Sequence, residues 1–173
     1  MRENEAASRR RPLVSPGTMV AAVVLYVGDA FFMGQGVWAT LPSLVMILGL
    51  LVRAAASDRH RRASIAATLA VWFMVPVVTI ATIYANNALA RHRADALIVA
   101  VEAYRAKHGD YPRALEDLVP EQIASVPRAK YTVAFGEFDY ANLEGSASLM
   151  YTTLPPFGRP YYQFNEHRWG YLD

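Results

Sequence analysis

Ile65-Ala66-Ala67-Thr68-Leu69-Ala70-Val71-Trp72-Phe73-Met74-Val75-Pro76-Val77-Val78-Thr79-Ile80-Ala81-Thr82-Ile83-Tyr84-Ala85 is the stretch that decides the fold. It carries no charge and has about the 20 residues that a bilayer-spanning helix needs. The chain then turns polar through Asn86-Asn87-Ala88-Leu89-Ala90-Arg91-His92-Arg93, yet no Pro or Gly intervenes before His108. One helix is therefore predicted over residues 64–108, leaving the membrane near Ala85 and continuing as an amphipathic rod. Gly109-Asp110-Tyr111-Pro112 stops it. Along the rod Ala94, Leu97, Val101, Tyr104 and His108 recur at helical intervals, with Ile98 widening the stripe, while Arg93, Asp95, Glu102, Arg105 and Lys107 lie mostly off it. Such a stripe needs a cover.

Composition agrees with a chain divided between lipid and water. Of 173 residues 54% are hydrophobic, and the mean hydropathy is +0.14, with the apolar excess confined to the first half. Residues 91–173 have the make-up of a small Tyr-rich globular domain, near the lower size limit for independent stability. Seventeen Lys and Arg against fifteen Asp and Glu leave a charge of +2, too little to argue for nucleic acid. With no Cys, a disulfide framework, a redox pair and a thiolate zinc site are all excluded.

Two further apolar runs precede the rod. Arg2, Arg9, Arg10 and Arg11 stand ahead of the first, at 13–33, which reads as a retained anchor rather than a cleaved signal. The second spans 37–52, and Gly34-Gln35-Gly36 between them predicts a tight helical hairpin. Residues 53–62 form an Arg-rich connection, whereas the Gly34-Gln35-Gly36 turn has no Lys or Arg. The positive-inside rule then gives three spans, with the N-terminus in the cytoplasm and everything after Ala85 on the far side. Pro42 and Pro76 are expected to kink their helices. Trp38, Trp72 and Tyr84 are ordinary membrane aromatics. Asp29 is the one ionisable residue within the apolar runs, read either as an interfacial residue near the outer turn or as an intramembrane site for a proton, a cation or an Arg partner.

Beyond the rod, Leu115 and Leu118 mark a short amphipathic piece closed by Pro120, and a further stop comes at Pro127. Tyr-, Phe- and Thr-rich runs at 130–135, 148–153, 159–164 and 168–172 predict an antiparallel sheet of three or four strands. Laid on the rod, it makes an α+β arrangement. Tyr161, Tyr162, Trp169 and Tyr171 form an aromatic cluster that either packs inward or presents a contact face, and alternation puts Tyr162 with Phe164 on one side and Tyr161 with Gln163 on the other.

Sequence patterns for catalysis are missing. His60, His92, His108 and His167 have no metal-ligand spacing, and phosphate-binding, dinucleotide and nucleophile-elbow motifs do not occur. His108 suits the C-terminal end of a helix dipole. Glu116, Asp117 and Glu121 read as solvated acids around a short helix, and Glu137, Asp139 and Glu144 lack the spacing of a calcium loop.

The stretch Ala94-x-x-Leu97-x-x-x-Val101-Glu102-Ala103-Tyr104-Arg105-x-x-x-Gly109-x-Tyr111-Pro112-x-x-Leu115-x-x-Leu118-Val119-Pro120, followed by Ile123 and Val126-Pro127, resembles type IV pilins and the pseudopilins of type II secretion. That resemblance covers residues 86–127 well and the strands in outline. It implies a long helix half in the membrane and half packed on a small antiparallel sheet, with Tyr104, Gly109, Tyr111, Pro112, Leu115, Leu118, Pro120 and Pro127 as its structural motif. Ser64-Ile65-Ala66-Ala67-Thr68 carries neither the Gly of a prepilin cleavage site nor the early Glu, and two spans precede it. The expectation is a pilin-like domain on a three-span base.

Four regions follow: a cytoplasmic basic tail at 1–12, a transmembrane hairpin with its Arg-rich loop at 13–63, a third span continuing as an exported helix at 64–108, and a pilin-like α+β region at 109–173. The expected function is a non-catalytic bacterial inner-membrane protein that displays a periplasmic domain for protein interaction or assembly. Membrane lipid and a protein partner or further copies are its expected contacts, with no cofactor and no nucleic acid. The alternative is a small sensor or transport accessory subunit working through its three-helix base.

Overall fold

The first helix, α1 (Pro16–Val27), starts where Ser15 accepts a hydrogen bond from the Thr18 N–H at 3.1 Å and Pro16 presets the first helical dihedral. A computed structural model describes residues 12–143, 145–154 and 157–173, so Arg2, Arg9, Arg10, Arg11 and Glu144 lie outside the described residues. A π-helical turn, Gly28–Met33, extends α1 and ends at Gly34, which is left-handed with φ 68°. Gly36 is left-handed too, at φ 76°, and opens α2 (Val37–Ala55). The Gly-Gln-Gly turn thus reverses the chain as its residues require.

Helix α3 runs unbroken from Arg59 to His108, 50 residues, or about 75 Å at 1.5 Å per residue. It begins earlier than residue 64. The Arg-rich connection expected at 53–62 shrinks to residues 56–58, because Arg53 is still in the last turn of α2 and Arg59, Arg61 and Arg62 already belong to α3. Nothing in that segment breaks a helix except the extended backbone at Asp58. Pro42 and Pro76 sit inside α2 and α3 without ending either.

Among the described residues three helical segments are long and apolar enough to cross a membrane: Pro16–Met33, Val37–Ala55 and one that lies within Arg61–His108. They pack through Ala22, Ala39, Leu50, Trp72 and Val75. The small side chains of Ala22, Ala39 and Ser43, all buried, let the helix backbones approach. Only 17% of each apolar window is buried, so most of Val23, Leu44, Val45, Leu48, Phe73 and their neighbours faces outward. An apolar exterior of this extent suits lipid and not water.

Above this base α3 enters a second core. Ala90, Ala94, Leu97, Ala100 and Val101 are buried against Tyr111, Leu115, Leu118, Leu149, Tyr151 and Phe164. The expected stripe holds through Val101 and then fades, with Tyr104 half-buried and His108 exposed. His108 is stacked on Tyr104 with ring centroids 4.1 Å apart.

The sheet has four antiparallel strands in sequence order: β1 (Asp139–Leu143), β2 (Ser146–Met150), β3 (Arg159–Gln163) and β4 (Arg168–Leu172). Tyr140, Leu149, Tyr162 and Trp169 are register partners from strand to strand and make one row on the helix-facing side. Two expectations change. Residues 130–135 are not a strand, and the first strand is Asp139–Leu143, a segment expected to be loop. The second strand also starts and ends a few residues early. Asp139–Leu143 is poor in β-formers, but Tyr140 and Asn142 reach across to main-chain carbonyls of Tyr111 and Pro112, and these tertiary bonds outweigh propensity.

Candidate functional site at the junction of base and C-terminal domain

The base and the C-terminal domain meet at the hairpin turn. Asp29, in the π-helical turn, is 1% exposed. Its Oδ1 accepts from the N–H groups of Gln35 at 3.0 Å and Gly36 at 2.8 Å, and its Oδ2 accepts from the N–H of Ala39 at 2.8 Å. These are orphan donors of the start of α2, so the carboxylate caps that helix and complements its dipole. Asp29 thus stands near the turn, as an interfacial residue would, but its carboxylate is buried within the chain and not open to solvent. A carboxylate in an apolar helix needs a full set of donors, and the turn supplies them.

Residues 130–136 descend onto the same turn. The N–H of Val133 donates to the Phe31 carbonyl at 2.8 Å, and that of Ala134 to the Phe32 carbonyl at 3.1 Å. Both carbonyls lie at the C-terminal end of the π-helical turn, where intrahelical donors run out. Gly34 is tightly covered, since a Cβ there would come within 3.2 Å of Thr132 Cγ2. Lys130 is buried beside this contact, its Nζ donating to Asn87 Oδ1 at 3.4 Å and to the Thr153 carbonyl at 3.3 Å. Among the described residues no carboxylate pairs with it. Burial alone pulls its ammonium down from 10.5 to about 8. Arg93 of α3 closes the other side, donating to the Arg128 carbonyl and to the Tyr131 hydroxyl while lying 4.7 Å over the Tyr131 ring.

The motif at the end of α3 forms a second constellation. Gly109, at φ 88°, donates its N–H to the Arg105 carbonyl at 2.8 Å and ends the helix in the left-handed conformation. Tyr111 turns back under Arg105, whose guanidinium donates to its hydroxyl at 2.6 Å and stacks 4.3 Å above its ring. Burial pushes the Tyr111 phenol up, Glu102 adds to the rise, and Arg105 opposes it. Pro112 is buried, and its carbonyl accepts from Tyr140 at 2.9 Å and from Asn142 at 3.2 Å. Leu115 and Leu118 are buried in a 3-10 turn, while Pro120 is exposed and Pro127 half-buried. Tyr104, Gly109, Tyr111, Pro112, Leu115 and Leu118 therefore act together as the clasp that fixes the helix end to the domain; Pro120 and Pro127 only bound it.

The aromatic cluster divides between the faces of the sheet. Tyr162 and Trp169 share the helix-facing row, with ring centroids 5.4 Å apart, and Arg91 of α3 lies 3.9 Å over Trp169. Tyr171 is on the same side by register but at the edge, where it is 58% exposed. Tyr161 alone of the four points to the outer face, laid across its register partner Gly170. The acids are dispersed. Asp117 accepts from the N–H groups of Arg113 and Ala114, and Glu121 pairs with Lys107 and approaches His108. Among the described residues no three His, Cys, Asp or Glu side chains gather as a metal site.

Sequence reasoning passed over Lys130, Asn87 and the carbonyls of Phe31 and Phe32. A lone Lys at the head of an alternating apolar run was the available signal for the first of these. No protein family, curated protein or solved structure matches the chain.

Proposed function

We propose that this is a bacterial inner-membrane protein whose three-helix base holds a pilin-like α+β domain in the periplasm as a non-catalytic module for binding a protein partner or further copies of itself. The observation that carries this reading is α3, one helix whose first part is apolar on its outer surface and whose last part is buried under a sheet. The clasp at Tyr104, Gly109, Tyr111 and Pro112 supports the likeness to pilins and pseudopilins. The proposed sidedness is supported by Arg53, Arg59, Arg61 and Arg62 at one end of the base and by a turn without Lys or Arg at the other.

A base that works by moving protons or cations is the less favoured reading, because both oxygens of Asp29 are taken up by backbone amides. Alkaline phosphatase fused after Asp173 should be active, and a photo-crosslinker at Tyr161 or Tyr171 should capture a protein from intact membranes. An inactive fusion sinks the topology. Loss of function in an Asp29→Asn protein that is still folded and in the membrane, with replacement of the exposed sheet face silent, would favour the base as the working part.

A further inference from the structure

The run Lys130-Tyr131-Thr132-Val133-Ala134-Phe135 alternates sharply without being a strand. Lys130 and Thr132 are buried, whereas Tyr131, Val133 and Phe135 are 60%, 65% and 49% exposed. Phe135 holds φ 56°, a conformation rare for a bulky residue. A loop facing water gains nothing by projecting three large apolar groups.

Its height explains the pattern. Hydrogen bonds from Val133 and Ala134 to Phe31 and Phe32 tie the loop to the end of the first apolar segment. Lys130 reaches Asn87, just beyond the end of the third apolar run. The level is thus that of the hairpin turn, where Phe32, Trp38 and Tyr84 are 55%, 58% and 72% exposed and make the aromatic belt expected at a membrane surface. Arg93 beside Tyr131 adds the cation that commonly accompanies such a belt.

We infer that Tyr131, Val133 and Phe135 form a foot of the C-terminal domain that rests in the headgroup–acyl boundary of the outer leaflet, so that phospholipid is a direct ligand of this loop. The inference rests on the membrane reading of the base. The loop is hydrogen-bonded to the carbonyls of Phe31 and Phe32, whose own side chains are 36% and 55% exposed at the end of the first apolar segment, so the surface that meets lipid on the helices lies beside it and favours lipid as its occupant over a second protein chain. The domain is then held at three places: by the clasp on α3, by the carbonyls of the turn, and by the leaflet.

The absence of native Cys makes the test clean. Single-cysteine variants Val133→Cys, Phe135→Cys, Phe73→Cys and Leu143→Cys are labelled with an environment-sensitive fluorophore in vesicles of phosphatidylethanolamine and phosphatidylglycerol. Doxyl quenchers are placed either near the headgroup or deep in the acyl chain. Labels at 133 and 135 should lose about half or more of their emission to the shallow quencher, as interfacial side chains do. The Phe73 label should respond to the deep quencher, and the Leu143 label should respond to neither. If 133 and 135 behave like 143 while 73 reports lipid, the foot is refuted and the base stands. Labels at 133 and 135 shielded from both lipid and aqueous quenchers would show a protein occupant and refute it equally. A Phe73 label that reports water would overturn the membrane reading together with the foot.

Discussion

Asp29 and Ala39 are ten residues apart and joined by a 2.8 Å hydrogen bond from the Ala39 N–H to the Asp29 carboxylate. This bond ties the end of the first apolar segment to the first turn of the second. It makes the one acid within the apolar runs a structural cap.

Replacing Asp29 by Ala should leave the buried N–H of Ala39 and the part-buried N–H groups of Gln35 and Gly36 without this acceptor and cost about 2–4 kcal/mol of stability, from caps and buried donors of this kind. Asp29→Asn keeps one acceptor oxygen and should fall between wild type and Asp29→Ala. Thermal unfolding in detergent micelles checks the order of the three.

Gly109 should tolerate Asn better than Ala. An added Cβ meets nothing within 4 Å, so the cost is purely conformational, about 1 kcal/mol for Ala in the left-handed region. Limited proteolysis at the end of α3 should quicken in Gly109→Ala and much less in Gly109→Asn.

Leu97 is 1% exposed beneath the sheet, while Val99 two residues on is 70% exposed. Leu97→Ala should destabilise the C-terminal domain by about 2–5 kcal/mol, and Val99→Ala by a few tenths. Hydrogen exchange would show the loss in β1 to β4 and leave the amides of α1 and α2 protected.

Lys130 makes stability depend on pH in a defined direction. Its folded-state value, about 8, lies below the 10.5 of the unfolded chain, so between these values the unfolded state binds more protons and stability rises with pH. That contribution is present above pH 10.5 and is lost as pH falls through about 8. Lys130→Met should therefore be more stable than wild type at pH 7, by about 1–2 kcal/mol once the lost hydrogen bonds are counted, and the gap should close towards pH 10. Unfolding midpoints of the two proteins measured side by side across that range test it.

Much of this architecture was legible because single residue types dictate it. Gly34 and Gly36 turn the hairpin, Gly109 and Pro112 end the rod, and the runs at 159–164 and 168–172 mark β3 and β4, with only Phe164 falling outside, in a 3-10 turn. The errors share one cause. Residues 130–135 look like a strand because they alternate, yet the amides of Val133 and Ala134 go to Phe31 and Phe32, about a hundred positions away, and that of Lys130 to the nearby Gly136 carbonyl. Residues 139–143 look like loop, yet Tyr140 and Asn142 are fixed to Tyr111 and Pro112. A local pattern carries no information about such distant partners. Asp29 belongs with these cases: its apolar surroundings were plain in the sequence, but its acceptors' role depends on where the chain folds back.

The bonds from Val133 and Ala134 to Phe31 and Phe32 also order events during biogenesis. The hairpin is synthesised first, and its two terminal carbonyls wait while roughly a hundred further residues leave the ribosome. The late loop can dock on them only once those residues have been made. A chain truncated before Lys130 would leave the hairpin turn without this cover, even with every apolar helix intact.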